Sequence, residues 1–185
     1  MNDTSLPKIL NTREDIIDLL PKNISIAEIG VFKGDFSKIL FDKLSPSKLF
    51  LVDIFTGHMG SGDKNGENFE FINLGDSFNN LVDFFKNEPS VEIIKSYSHD
   101  FLSKLENESI DAVYIDADHC YEAVKTDLNL SFAKVKTGGF IMGHDYCSNS
   151  FPSVVQAVNE FCKTFNQRIS IITKDGCPSF LIIKQ

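Results

Sequence analysis

The feature that most constrains this chain is alternation: apolar runs of strand length are separated by segments whose apolar residues recur at helical spacing. Strands of that kind are buried on both faces, and βαβ units around a mainly parallel sheet are the packing that achieves it. Thr12-Arg-Glu-Asp15 resembles a capping box, with Ile16, Ile17, Leu19 and Leu20 on one face behind it, so a helix precedes Pro21. Buried strands are predicted at Ile24–Ile29, Leu49–Asp53, Val91–Lys95, Ile110–Asp116 and Phe140–Gly143. Helices carried by Phe36/Leu40/Leu44, Phe78/Leu81/Phe85, Phe101/Leu105, Tyr121/Val124/Leu128 and Val154/Val158/Phe161 fill the intervals. The tail breaks the rule. Arg168–Thr173 and Ser179–Ile183 are two strand-like runs joined by a turn at Asp175-Gly176, so they pair antiparallel. The expectation is an α/β chain with a doubly wound seven-stranded sheet, mostly parallel and closed by a C-terminal antiparallel hairpin.

At 185 residues the chain fits one domain, 1–185, with an N-terminal helical arm over 1–22. The stretch from Ile54 to Gly75 holds Gly57, Gly60, Gly62 and Gly66 without periodicity, and reads as a flexible, lid-like loop. No apolar run reaches the ~18 residues of a membrane helix. The balance of 18 Lys+Arg against 26 Asp+Glu gives −8, which disfavours nucleic acid and anionic lipid as partners. Cys120, Cys147, Cys162 and Cys177 are scattered and no export signal precedes them, so they read as reduced thiols of a cytoplasmic protein.

The first strand runs into Ala27-Glu28-Ile29-Gly30-Val31-Phe32-Lys33-Gly34 and then a helix. A glycine turn there lets a ligand approach the backbone. The nicotinamide fingerprint Gly-x-Gly-x-x-Gly is not met, and Glu28 in front of Gly30 suggests a ligand bearing a positive group. Asp53 closes the second strand 19 residues after Gly34, where an acid can bind both hydroxyls of a ribose. This pattern resembles the cofactor motifs of class I S-adenosylmethionine-dependent methyltransferases, whose Rossmann-like fold has the same terminal hairpin. The resemblance implies that Glu28, Gly30 and Gly34 lie against the amino-acid part of the cofactor and that Asp53 holds its ribose. It also implies that Ser96, Tyr97 and Ser98, after the third strand, line the adenine pocket, with Asp116 at the end of strand four beside the cofactor.

Strand four ends in Asp116-Ala117-Asp118-His119-Cys120-Tyr121 and strand five in Gly143-His144-Asp145-Tyr146. Adjacent parallel strands bring such tips together. The pair of motifs resembles the small-molecule branch that includes macrocin-type sugar O-methyltransferases. Carboxylates there suit a hard cation such as Mg²⁺, which lowers the pKa of a bound hydroxyl. The resemblance gives Asp116 and Asp145 as metal ligands, with His144 where some relatives carry a second acid. His119 or Asp118 can act as general base. His58, His99, His119 and His144 each fall just beyond a predicted strand, on the rim where open α/β sheets bind ligands. The Asp-x-Asp-His run also reads as a plain helix cap.

The expected activity is methyl transfer from S-adenosylmethionine to a hydroxyl of a small molecule or sugar, with metal assistance as one option. The alternatives are a non-catalytic cofactor-binding protein and a nucleotide-dependent oxidoreductase. The acceptor and the oligomeric state, homodimer included, stay open. An Asn/Asp-Pro-Pro-Tyr/Phe run after strand four, usual in amino-methylating enzymes of nucleic acids, is absent.

Overall fold

The computed structural model describes residues 6–59 and 70–185. The chain runs through β1 (Lys8–Leu10), α1 (Arg13–Ile17), β2 (Ser25–Ile29), α2 (Asp35–Leu44), β3 (Lys48–Asp53), β4 (Thr56–Met59) and β5 (Glu70–Asn73). It continues through α3 (Gly75–Phe84), β6 (Val91–Lys95), α4 (Ser98–Lys104), β7 (Ile110–Ile115), α5 (Tyr121–Lys134), β8 (Val135–Gly143), α6 (Pro152–Thr164), β9 (Ile169–Thr173) and β10 (Phe180–Ile183).

One eight-stranded sheet has the order β1-β9-β10-β8-β7-β2-β3-β6. The pairs β2·β3, β2·β7, β3·β6 and β7·β8 are parallel, and β10 is antiparallel to both β8 and β9. Strand order therefore reverses next to β2, between β3 and β7, and ligands of open α/β sheets bind at such a reversal. The period of two along each strand sorts the core into two layers. Ile26, Leu49, Leu51, Ala112, Tyr114 and Met142 face α1, α2 and α3, where Ile16, Ile17, Phe36, Leu40 and Leu81 pack. Ala27, Ile29, Val52, Val113, Ile115 and Ile141 face α4, α5 and α6, against Leu102, Leu128, Val158 and Phe161.

The doubly wound sheet and its terminal hairpin are as the pattern predicts, with three corrections. The main sheet has eight strands rather than seven, because β1 adds to the edge by pairing parallel with β9 through Lys8↔Ile171 to Leu10↔Thr173. Three residues are too few to show a period, so the arm over 1–22 reads as helical although it holds a strand and a five-residue helix. The segment 54–75 is not wholly loop: its two ends form the antiparallel pair β4·β5, and Gly75 already opens α3. Its centre, 60–69, lies outside the described residues, and the lid-like reading with it. The fifth predicted strand is longer than expected, because β8 begins at Val135 opposite Ile110 and shifts register before Ala112↔Phe140.

The capping box is formed. Thr12 Oγ1 accepts from the Asp15 amide and Asp15 Oδ2 accepts from the Thr12 amide at 3.1 Å. This fixes where α1 starts, and so where Arg13 points.

Candidate active site

The site is assembled at the carboxyl ends of β2, β3, β7 and β8. Gly30 has φ +89°, and a Cβ there would stand 2.0 Å from the Asp116 carbonyl oxygen. Only glycine lets the tips of β2 and β7 touch backbone to backbone. Gly34 has φ +81° and precedes α2, with the Leu81 side chain where a Cβ would go.

Asp53 closes β3 against this turn. Its Oδ2 accepts from the amides of Val31 at 2.8 Å and Phe32 at 2.9 Å, and its Oδ1 from Phe55 at 2.6 Å. Phe32 and Phe55 have φ of 54° and 49°, a conformation costly for bulky residues. The carboxylate thus holds two left-handed corners together, and the sequence-predicted turn and acid are neighbours.

Glu28 lies under the turn rather than in the crevice. It is 2 % exposed, and Ser37 Oγ donates to its Oε2 at 2.5 Å. Burial pushes its carboxyl up to about 8, with Asp116 and Asp53 adding repulsion and Ser37 and Arg13 opposing it. At neutral pH it is mostly protonated, so it offers a ligand little negative charge. The residues after β6 divide. Tyr97 is 60 % exposed and stacks on His99, Ser96 Oγ donates to the Tyr97 carbonyl, and the Ser98 hydroxyl turns inward to hydrogen-bond Asp127. Burial raises the Asp127 carboxyl to about 6.

The second constellation converges as the strand order requires. His119 Nε2 lies 2.7 Å from Asp145 Oδ2, and His144 Nδ1 lies 3.2 Å from Asp145 Oδ1 and 3.8 Å from Asp116 Oδ1. Asp145 has φ 59°, so the chain turns a left-handed corner to present it. Burial opposes the charge on Asp145, but His119 and His144 overcome it and hold the carboxyl far below its ordinary range. Burial likewise disfavours the imidazolium of both histidines, and the carboxylates outweigh it, raising both pKa values. Asp116 moves the other way: burial raises its carboxyl, against the pull of His144. The His119 ring rests on Phe151 at 4.5 Å between centroids. Together Asp116, Asp118, His119 and His144 line a small cleft floored by Val124 and Leu128.

Asp118 has a different place: its Oδ1 accepts from the Cys120 amide at 2.7 Å, capping the turn into α5. His99 stays outside the cluster, and the side chain of His58 lies outside the description. One oxygen from each of Asp116 and Asp145 and one nitrogen of His144 lie within 4.8 Å of one another, a donor set for a divalent cation. His144 therefore joins the two predicted metal ligands instead of weakening them. Sequence reasoning also missed Arg13, whose Nη1 is 3.5 Å from Asp116 Oδ2. The period of two held the signal: Tyr114 and Asp116 point to the face that α1 covers.

Residues 27–146 match the family described as a methyltransferase domain. An uncharacterized protein of Acanthamoeba polyphaga mimivirus is 39 % identical over 144 residues, which cover 75 % of this chain and 59 % of that protein. The chain thus spans about three fifths of that relative's length. Among solved structures, the O-methyltransferase NovP superposes with a TM-score of 0.69 at 17 % identity, over 94 % of this chain and 79 % of NovP. A provisional rRNA-methylase from Clostridium thermocellum gives 0.65 at 15 % identity over 97 % of each chain. Aeropyrum pernix fibrillarin with natively bound S-adenosyl-L-methionine gives 0.62 at 9 % identity, over 88 % of this chain and 67 % of fibrillarin. The matched region runs from the middle of β2 to just past the corner at Asp145, enclosing both constellations, and on that ground this chain belongs to the methyltransferase domain family, with the class I S-adenosylmethionine-dependent fold.

Proposed function

We propose that the chain transfers the methyl group of S-adenosylmethionine to a hydroxyl of a small molecule, sugars included. The observation that carries this reading is continuity. Asp53 touches the glycine turn, the turn touches Asp116, and Asp116 leads to the His119–Asp145 pair, so cofactor grip and proton acceptor share one crevice. Gly30 and Gly34 leave room for the amino-acid part of the cofactor, Asp53 faces its ribose, and Ser96 and Tyr97 stand on the adenine side. The likeness to the O-methyltransferase NovP supports an oxygen acceptor, and the net charge of −8 weighs against a nucleic acid.

His119 is the general base. Asp145 orients its ring and stabilises the imidazolium formed when the ring takes the acceptor's proton. The hydroxyl oxygen then forms a bond to the methyl carbon as the carbon–sulfur bond breaks, and its electron pair stays on sulfur. Close in-line placement supplies much of the rate. His119→Asn is expected to lower kcat by about 100-fold or more with cofactor affinity within about twofold. An unchanged kcat would remove His119 from this role. Because the His119 pKa is raised, the wild-type rate should climb with pH through a value above 6.5 as the base loses its proton.

A second reading rests on the donor set. Asp116, His144 and Asp145 would hold a divalent cation, which would acidify the acceptor hydroxyl. Activity lost in chelator and restored by a divalent salt supports it; activity indifferent to chelator leaves His119 as the sole proton acceptor.

A further inference from the structure

We propose that Arg13 binds the α-carboxylate of S-adenosylmethionine, an assignment that rests on the cofactor reading above. The argument begins with the donors of the glycine turn, which are already committed. The Gly30 amide donates to Val52, those of Val31 and Phe32 to Asp53, and that of Gly34 to Val31. The crevice is also rich in acids, with Asp53, Asp116, Asp118 and Asp145 around it. A ligand carboxylate entering there meets repulsion and needs a cation. His119 and His144 are engaged with Asp145. Lys33 is exposed, with its ammonium over the Phe32 ring.

Arg13 is placed for the task and underused. Its guanidinium lies over the Phe36 ring, 4.2 Å from the centroid, and its side chain is 27 % exposed. The nearest carboxylates are Asp116 at 3.5 Å and Glu14 at 3.9 Å. Tight charge-assisted pairs are closer, at about 2.7–2.9 Å. A planar fork held flat against a ring, with its acids at arm's length, is a preorganised carboxylate receptor. It also sits at the right end of the crevice. Asp116 is the common neighbour: its carbonyl packs on Gly30 and its Oδ2 faces Arg13, while its Oδ1 faces His144. One carboxylate thus divides the site, with the proton-handling cluster on one side and the amino-acid end of the cofactor on the other. Burial opposes the Arg13 charge, but Tyr114 and Asp116 more than compensate, so it stays a cation.

The test is calorimetric and compares S-adenosylhomocysteine with 5′-methylthioadenosine, which keeps the nucleoside thioether and lacks the carboxylate. In the wild type S-adenosylhomocysteine should bind more tightly. Arg13→Gln should weaken S-adenosylhomocysteine by about 10- to 100-fold and leave 5′-methylthioadenosine within about twofold; the latter also shows that the variant is folded. Arg13→Lys should fall between, and Lys33→Gln should change neither ligand. Decarboxylated S-adenosylmethionine supplies an arm without mutation, and should bind the wild type about as weakly as S-adenosylmethionine binds Arg13→Gln. Equal loss of both thioethers in Arg13→Gln, or loss of neither, overturns the assignment while the cofactor reading stands. A wild type that binds neither thioether overturns both.

Discussion

At the residue scale, the chain spends two special positions on bringing strand tips together. Gly30→Ala would drive a Cβ into the Asp116 carbonyl and force a left-handed φ on alanine. Neither backbone can yield without breaking the β2·β7 pairing, so a loss of roughly 3 kcal/mol or more is expected in urea melts. Gly34→Ala meets only the Leu81 side chain and should cost less. Glu28 carries a pH signature. Its folded-state carboxyl titrates near 8, above its unfolded value, so the stability it contributes is complete below about pH 4.5 and is lost as pH rises toward 8. Glu28→Gln should flatten that decline and raise the melting temperature at pH 8; a slope unchanged from the wild type would refute the assignment. The identity of Glu28, Gly30, Gly34 and Asp53 as a group was legible in the sequence because their spacing is covalent. That Glu28 faces Ser37 rather than the crevice was not, because it depends on which layer a strand residue joins.

Single elements matter through what they carry. α1 is only five residues long and rests on its capping box, so its register is set by Thr12. Thr12→Ala should destabilise the protein by about 1 kcal/mol and, because Arg13 is the next residue, also weaken S-adenosylhomocysteine more than 5′-methylthioadenosine. Equal effects on the two ligands would separate the helix from the site. The strands β2, β3, β6 and β7 were readable because each is a short apolar run bounded by a turn signal. β1 and the β4·β5 pair were not. They are three and four residues long, shorter than any period can reveal, and are defined by partners distant in sequence. The convergence of His119 and His144 on Asp145 follows from β7·β8 adjacency, but the left-handed corner that completes it carries no sequence mark stronger than an aspartate.

For the whole molecule, the strand order places its reversal at β2, so the glycine turn and Asp53 stand where a sheet of this kind takes a ligand. The alternation of elements carried that much, and it carried the doubly wound layers too. Acceptor identity is a different matter, because it is set by the shape of the cleft walls rather than by the sheet. The central claim is that S-adenosylmethionine is gripped between the turn after β2 and the acid ending β3. Its most direct test is an amide NMR titration of the intact protein with S-adenosylhomocysteine. The account predicts saturable shifts centred on Gly30, Val31, Phe32, Asp53 and Asp116, with β1, β9 and β10 unmoved. Shifts confined to another face of the sheet, or none at millimolar ligand, would contradict it.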